Sequence, residues 1–297
     1  MILDVRHITE IHYEAMIRLA RFNLRLKPAT WPGQHLIDYR LTVEPTPSAI
    51  LTEEGPYVVN TSRMTISEPI VQLTIESSFA IEVNPAPLPT FETTPTIAEV
   101  RTSALAHRDL SPAGPAPYLF ASLIAHAEPE IASWANQFFR SGMPVFEAAS
   151  ALMHGIYDGF GYDSDATKVE TTPMEAFRVR RGVCQDFAHI MIIALRSQGI
   201  PAAYVSGYLR TIPPPGEERL VGADATHAWV NIWCGDAIGW VGFDPTNNLI
   251  VENDHIFTAM GRDYADVAPV DGVFHGGAGQ EMKVSVDVAP RELIEAR

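Results

Sequence analysis

Two cysteines in 297 residues are too few for a disulfide framework. With Cys184 and Cys234 as the only thiols, a reducing compartment is the default and a cytoplasmic location is expected. No Cys-x-x-Cys pair and no His-Glu-x-x-His occurs, so neither a zinc ribbon nor a zincin is indicated and no metal is called for. The glycine-rich phosphate loops are missing as well, which leaves nucleotide binding and any organic cofactor without support. No apolar run reaches the roughly 18–20 residues of a membrane-spanning helix. The first ten residues lack the basic start and apolar stretch of a secretory leader. Positive charge is also short, with 21 Lys and Arg against 36 Asp and Glu and a net charge of −15. Phosphate backbones and anionic membrane surfaces are repelled by such a field, so neither is an expected partner. A neutral or basic substrate is easier to accept, although net charge speaks to solubility more than to mechanism.

What is present suits a folded enzyme-sized chain. Hydrophobic residues make up 46% and charged ones 19%, enough apolar material for a true core. The length favours two domains. Alternating runs Ile8–Tyr13, Ala15–Leu26, Leu36–Val43, Tyr57–Val59, Arg63–Ile66 and Val71–Val83 read as short strands, with Val71, Leu73 and Ile75 on one face. Pro and Gly punctuate them, as in a β-sandwich of about 90 residues. Asn84–Pro117, rich in Pro, Thr and Ala, reads as a linker or extended connection. Helical patterns follow near Tyr118–Phe139 and Pro144–Tyr157. Cys184–Gln198 is amphipathic and closed by Gly199. Ala202–Thr211 is a strand, Pro213-Pro214-Pro215-Gly216 a loop, and Thr226–Cys234, Ala237–Phe243 and Gln280–Val288 are strands. A helix before antiparallel strands is an α+β layout. The expected division is a sandwich over 1–95 and a helix-led α+β unit over 96–297.

Chemistry concentrates at three residues. Cys184 opens its helix, where free backbone N–H groups and the helix dipole stabilise an anion and where thiolates form readily. An inert buried thiol is the alternative. His227 begins Thr226–Trp233, and the period of two puts His227, Trp229, Asn231 and Trp233 on one face with Ala228, Val230 and Ile232 on the other. A two-residue hairpin at Gly235-Asp236 would set Cys234 opposite Ala237 and His227 directly opposite Asp244. Partners so placed have Cβ atoms about 4.5–5.5 Å apart, close enough for a carboxylate to hold an imidazole. A longer loop would slip the register. Thiol, base and orienting acid together make the logic of a catalytic triad.

Three blocks carry a family likeness: Arg181-Gly-Val-Cys-Gln-Asp-Phe-Ala-His189; Gly199-Ile-Pro-Ala-Ala-Tyr-Val-Ser-Gly-Tyr208; and His227-Ala-Trp229 with Gly239-Trp-Val-Gly-Phe-Asp-Pro-Thr246. In order and spacing they resemble the transglutaminase-like superfamily of bacterial cysteine peptidases over about residues 150–290, and the N-terminal stretch resembles the sandwich fused ahead of that core. The resemblance implies a papain-like α+β core, a helix carrying the cysteine packed on an antiparallel sheet, and a Cys184–His227–Asp244 triad needing no cofactor. It implies a peptide or amide substrate and a thioester intermediate resolved by water, or alternatively by an amine; a non-catalytic binding module is the rival of a different class. Around the triad, Gln185, Trp229, Tyr208 and Tyr264 are candidate substrate contacts, with Trp229 and Tyr208 equally suited to packing. Asp186 suits the helix dipole, His189 a structural role and His275 a loop. The sequence leaves self-association open.

Overall fold

The computed structural model describes residues 1–169, 171–211, 225–277 and 279–291; the Pro213–Gly216 loop lies outside them. The chain begins with strands β1 (Ile2–Ile17), β2 (Leu19–Leu24), β3 (Gln34–Glu44), β4 (Ala49–Glu54), β5 (Asn60–Ile66) and β6 (Ile70–Val83). Burial alternates along β1, where Leu3, Val5, His7, Thr9, Ile11 and Tyr13 point inward. Leu73 and Ile75 are fully buried, whereas Val71, at the start of β6, is half exposed. The Ala15–Leu26 run breaks at Arg18, where the chain leaves one sheet and enters the other. Tyr57–Val59 is no strand; Val58 makes a single bridge to Met260.

The middle of the chain is helical: α1 (Ile97–Ala106), α2 (Pro129–Ala135) and α3 (Val145–Gly159), then β7 (Gly161–Tyr162), α4 (Pro173–Val179), β8 (Arg181–Gly182) and α5 (Cys184–Ser197). The Asn84–Pro117 segment is thus not a plain linker, for it contains α1. Thr96 and Glu99 form the capping box that starts this helix despite the prolines before it. Nor is 118–139 one helix: Pro129 starts α2, and proline fits only the first turn. Strands β9 (Ala202–Leu209), β10 (Ala225–Trp233), β11 (Trp240–Asp244), β12 (Leu249–Ile250) and β13 (His255–Gly261) make an antiparallel sheet in the order β12-β11-β10-β9-β13. After α6 (Tyr264–Val267) come β14 (Val270–His275), which ends on the histidine expected in a loop, and β15 (Gln280–Pro290).

The last two strands return to the N-terminal half. β15 pairs with β1 from Leu3↔Pro290 to Tyr13↔Gln280, and β14 pairs with β2 from Leu24↔Val270 to Leu19↔His275. The sandwich is therefore two four-stranded sheets, β15-β1-β6-β3 and β14-β2-β5-β4. Its core holds Ile11, Phe22, Leu24, Met64, Leu73 and Ile75. A second cluster joins sandwich to central sheet, with Leu3, Val5, Phe79 and Val288 against Tyr208 of β9 and Ile256 of β13.

The main core lies under α5. Phe187, Ile190, Met191 and Ala194 pack with Ala228, Val230 and Ile232, the face of β10 expected to be apolar. Gly199 closes α5 at φ 76°. From the last turn of α5, Arg196 reaches the carbonyls of Tyr118, Ala202 and Arg262 at 2.6–3.1 Å, tying the helix to three segments.

Candidate active site

Cys184 is the first residue of α5, and its approach is built by the preceding turn. Arg180 ends α4 in a left-handed conformation (φ 55°) with its guanidinium over Phe177, Phe160 and Trp134, at 4.1, 4.6 and 5.2 Å from the ring centroids. β8 then pairs in parallel with β7 and delivers the chain to Val183, which precedes the helix. A Cβ at Gly182 would stand 2.5 Å from the Asp186 carboxylate, so only glycine lets that side chain fold back over the turn. There Asp186 accepts from Val183 N at 2.9 Å and from Thr167 Oγ1 at 2.7 Å. Asp186 thus caps the helix and complements its dipole, although burial raises its pKa. The first N–H groups of α5, beside Cys184, have no partner within the helix.

His227 is buried and meets Asp244 through Nε2 to Oδ2 at 2.7 Å. The expected pair forms, but by a different register. β10 and β11 pair through Val230↔Phe243 and Trp233↔Trp240, with Cys234 N donating to Gly239 O. The loop is therefore four residues, Gly235–Ile238, flanked by positive φ at Gly235 (94°) and Gly239 (75°). The shift is two residues, which preserves the side-chain face; one residue would have turned Asp244 away. His227 and Asp244 accordingly meet on the diagonal.

Asp244 has further partners. Oδ2 also accepts from Asn247 Nδ2 at 2.8 Å and His255 Nε2 at 3.1 Å, while Oδ1 accepts from the backbone N–H groups of Thr246 and Asn247 at 3.0 and 3.2 Å. Burial works against the charge, but the bonds from His227 and His255 hold Asp244 far below the usual carboxylate range. For His227, burial disfavours the cation; the bonds to Asp244 and to the neighbouring Cys184 thiol outweigh it and raise the ring to about 10. With Nε2 turned to Asp244, Nδ1 is the nitrogen left for the thiol. Cys234 is a different thiol: it is buried in the core, and burial pushes it up to about 12. His227, Asp244 and His255 place metal-ligand atoms within 4.8 Å of one another. Those same atoms already satisfy one another as hydrogen-bond partners, which accounts for their closeness.

The other candidates scatter. Gln185 stays beside Cys184, its amide 3.4 Å from Val169 O. Tyr264 is partly buried, packs edge-on against Tyr204 and lies within electrostatic range of Cys184, as does the exposed Tyr162. Tyr208 does not reach the cleft; it is buried between sandwich and sheet with its hydroxyl 3.1 Å from His7 Nδ1, because its face of β9 is covered by β1 and β6. Trp229 is fully buried on the face of β10 turned away from α5, among Ala203, Val205, Phe257 and Met260. His189 is structural as expected, stacked on Tyr204 at 4.9 Å and accepting from Tyr264 N, with burial lowering it to about 4. His255 and Asn247 were missed by the sequence reading. The signal for His255 was its place at the boundary between the polar Glu252-Asn253-Asp254 and the run Ile256–Met260, apolar but for Thr258; for Asn247 it was the Asp-Pro-Thr-Asn turn.

Comparison with known proteins fits this geometry. Residues 132–245 match the Transglutaminase-like superfamily, and residues 3–82 match the Bacterial transglutaminase-like N-terminal region. An uncharacterized protein of Mycobacterium tuberculosis is 35% identical over 297 residues, covering 97% of this chain and 92% of the relative. The chain belongs to the transglutaminase-like superfamily. A protein-glutamine gamma-glutamyltransferase of Pseudomonas aeruginosa is 30% identical over 131 residues, 43% of this chain but 20% of that protein. In fold, the superfamily member resembles a solved Cytophaga hutchinsonii structure whose cysteine-protease assignment is provisional. The TM-score is 0.73, with 22% identity, over 99% of this chain and 93% of that one. The α+β fold with a transglutaminase-like core follows from these likenesses and the topology together.

Proposed function

We propose that this chain is a cysteine-dependent acyl-transfer enzyme that hydrolyses a peptide or amide bond through a thioester on Cys184. The observation that carries the reading is the buried 2.7 Å contact between His227 and Asp244, with the Cys184 thiol, at a helix start, as a further hydrogen-bond neighbour of the ring. A ring raised to about 10 is an imidazolium at neutral pH, a natural counter-ion for a thiolate. In this reading the thiolate attacks the amide carbonyl and forms a C–S bond. The C–N bond breaks as His227 hands its proton to the leaving amine. Water then attacks the thioester, giving a proton back to His227 and releasing acid and thiolate. In this reading the N–H groups at the start of α5 receive the developing oxyanion.

The likeness to a gamma-glutamyltransferase favours one further reading, in which an amine instead of water resolves the thioester. A primary amine added to the assay separates the two, since amide product in place of acid means transfer.

Alkylation tests the core of the proposal. Iodoacetamide labelling of Cys184 and Cys234 from pH 4 to 10, read by peptide mass spectrometry, should find Cys184 labelled rapidly at neutral pH. Cys234, with its pKa near 12, should stay unlabelled in the folded protein. The advantage of Cys184 should collapse in His227→Ala. Equal labelling of both thiols, or no effect of His227→Ala, would defeat the proposal.

A further inference from the structure

Asp244 is held from near and from far. Its own turn supplies three donors, the backbone N–H groups of Thr246 and Asn247 on Oδ1 and the Asn247 amide on Oδ2. His227, on the neighbouring strand, is the group it serves. The remaining donor, His255 Nε2 at 3.1 Å, comes from elsewhere in the sheet. His255 heads β13, which forms the far edge of the central sheet, with β9 and β10 between it and the β11 strand of Asp244. The acyl-transfer scheme gives this buried histidine no part.

The sheet is shaped around that ring. Trp229 packs edge-on against His255, with the ring centroids 5.3 Å apart and the planes at 78°. The indole lies over Gly207, where a Cβ would stand 2.5 Å from it and 2.2 Å from Ile256 O. Gly207 is also the pairing partner of His227 on one side and of Phe257 on the other. A side chain there would displace Trp229 and with it the support of His255. The adjacent charges, Arg210 and Asp254, satisfy each other at 2.7 Å. A carboxylate only accepts, so His255 carries its proton on Nε2; a second one, on the enclosed Nδ1, would find no acceptor. His255 also lines the cavity of about 590 Å³ between sandwich and sheet, whereas Asp244 does not. The ring is thus part of the wall between the buried carboxylate and that space.

We propose that His255 is a positioning residue for the Cys184–His227–Asp244 site: its Nε2–H fixes Oδ2 of Asp244 against His227, its ring keeps water off that bond, and Trp229 holds the ring in place. The inference deepens the acyl-transfer reading and rests on it. The last torsion of an aspartate is soft, and the donors of its own turn move with the strand end that carries it. A donor from β13 ties the carboxylate to the rest of the sheet. Without that ring the cavity admits water to Asp244, the local dielectric rises and the pull on the His227 proton slackens. The Cys184 thiolate then loses part of its counter-ion.

The test uses the full chain and the iodoacetamide labelling of Cys184, which needs no substrate. His255→Ala should move the labelling profile about one pH unit upward, a roughly tenfold slower reaction at pH 6. His255→Gln sets an amide N–H at the reach of Nε2 and should restore the parent profile. Should the alanine variant lose its cooperative melt, His255→Asn serves instead: its amide is one methylene shorter, falls short of Asp244 and should label as slowly. A role in packing alone would not sort amides by length. In proton NMR, the downfield resonance of the His227–Asp244 bond should remain in the parent and the glutamine variant and vanish by exchange with water in the alanine or asparagine variant. Fast labelling in the parent that persists in the alanine and asparagine variants, or a glutamine variant as slow as they are, would overturn the inference and leave the acyl-transfer reading standing. Labelling of Cys184 in the parent no faster than that of Cys234 would take both down.

Discussion

At Asp244 a single carboxylate oxygen is shared by two histidines and an asparagine, while the other oxygen takes two backbone N–H groups. Acceptors so fully engaged stay ionised even when buried. The consequence is felt at His227, whose ring is held protonated to about pH 10. A group raised above its unfolded value of about 6.5 contributes stability that is complete below that pH and disappears as pH climbs through the folded value. For His227 the window of loss runs from about 6.5 to about 10. Asp244→Asn removes the charge that holds the proton, so denaturant titrations at pH 6 and pH 10 should show the parent losing more stability than the variant. Under the acyl-transfer reading, the same substitution should lower kcat roughly 10²–10⁴-fold. It should also pull the alkaline limb of kcat down by a pH unit or more, because the leaving amine needs the imidazolium as acid. An unchanged alkaline limb would mean that Asp244 does not govern the proton on His227.

At the scale of elements, the readable parts were those whose pattern is local. α5 and β10 have strong periodicity, and the structure places them within a residue of the expected bounds. The hairpin after β10 was legible in face but not in register, because Gly235-Asp236 resembles a two-residue turn while the bond from Cys234 N reaches on to Gly239. Parity rescued the His227–Asp244 contact, since strands repeat every two residues. Tyr208 was not legible at all: nothing local to β9 says that β1 and β6 cover that face. Arg196 belongs here too, as a partly buried cation whose role is visible only once the carbonyls of Tyr118, Ala202 and Arg262 converge on it. Its charge also faces buried Asp263, which accepts from Ile124 N at 2.7 Å. Arg196→Met should therefore leave several carbonyls unpaired and cost roughly 2–4 kcal/mol. Chemical denaturation measures that loss. A cost below about 1 kcal/mol would show that water replaces the guanidinium at these carbonyls.

For the whole molecule, the decisive fact is that the chain ends where it began. A division at residue 95 follows the change in sequence texture, yet β14 and β15 pair with β2 and β1. Val286 and Val288 of β15 are buried beside Leu3, Val5, Ile256 and Tyr208, so one cluster draws on the first strand, the last strand and the central sheet. Fully burying a valine or leucine stabilises by about 1.5–3 kcal/mol relative to exposure, and separating the halves would expose several such side chains at once. It would also leave β1 and β2 as bare edges, ready to pair with another copy. A fragment of residues 1–95 should accordingly aggregate or melt without cooperativity, and a fragment of residues 96–297 should be cleaved rapidly within 270–290. Mixing the two should restore protection, because the missing strands are supplied in trans. Limited proteolysis with mass readout, beside size-exclusion chromatography, decides the matter. If residues 1–95 alone stay monomeric and melt as sharply as the intact chain, the returning strands are an accessory to the sandwich and the sandwich can evolve apart from the core. If they do not, the two halves fold as one cooperative unit, held together by the strands that the end of the chain returns to the sandwich.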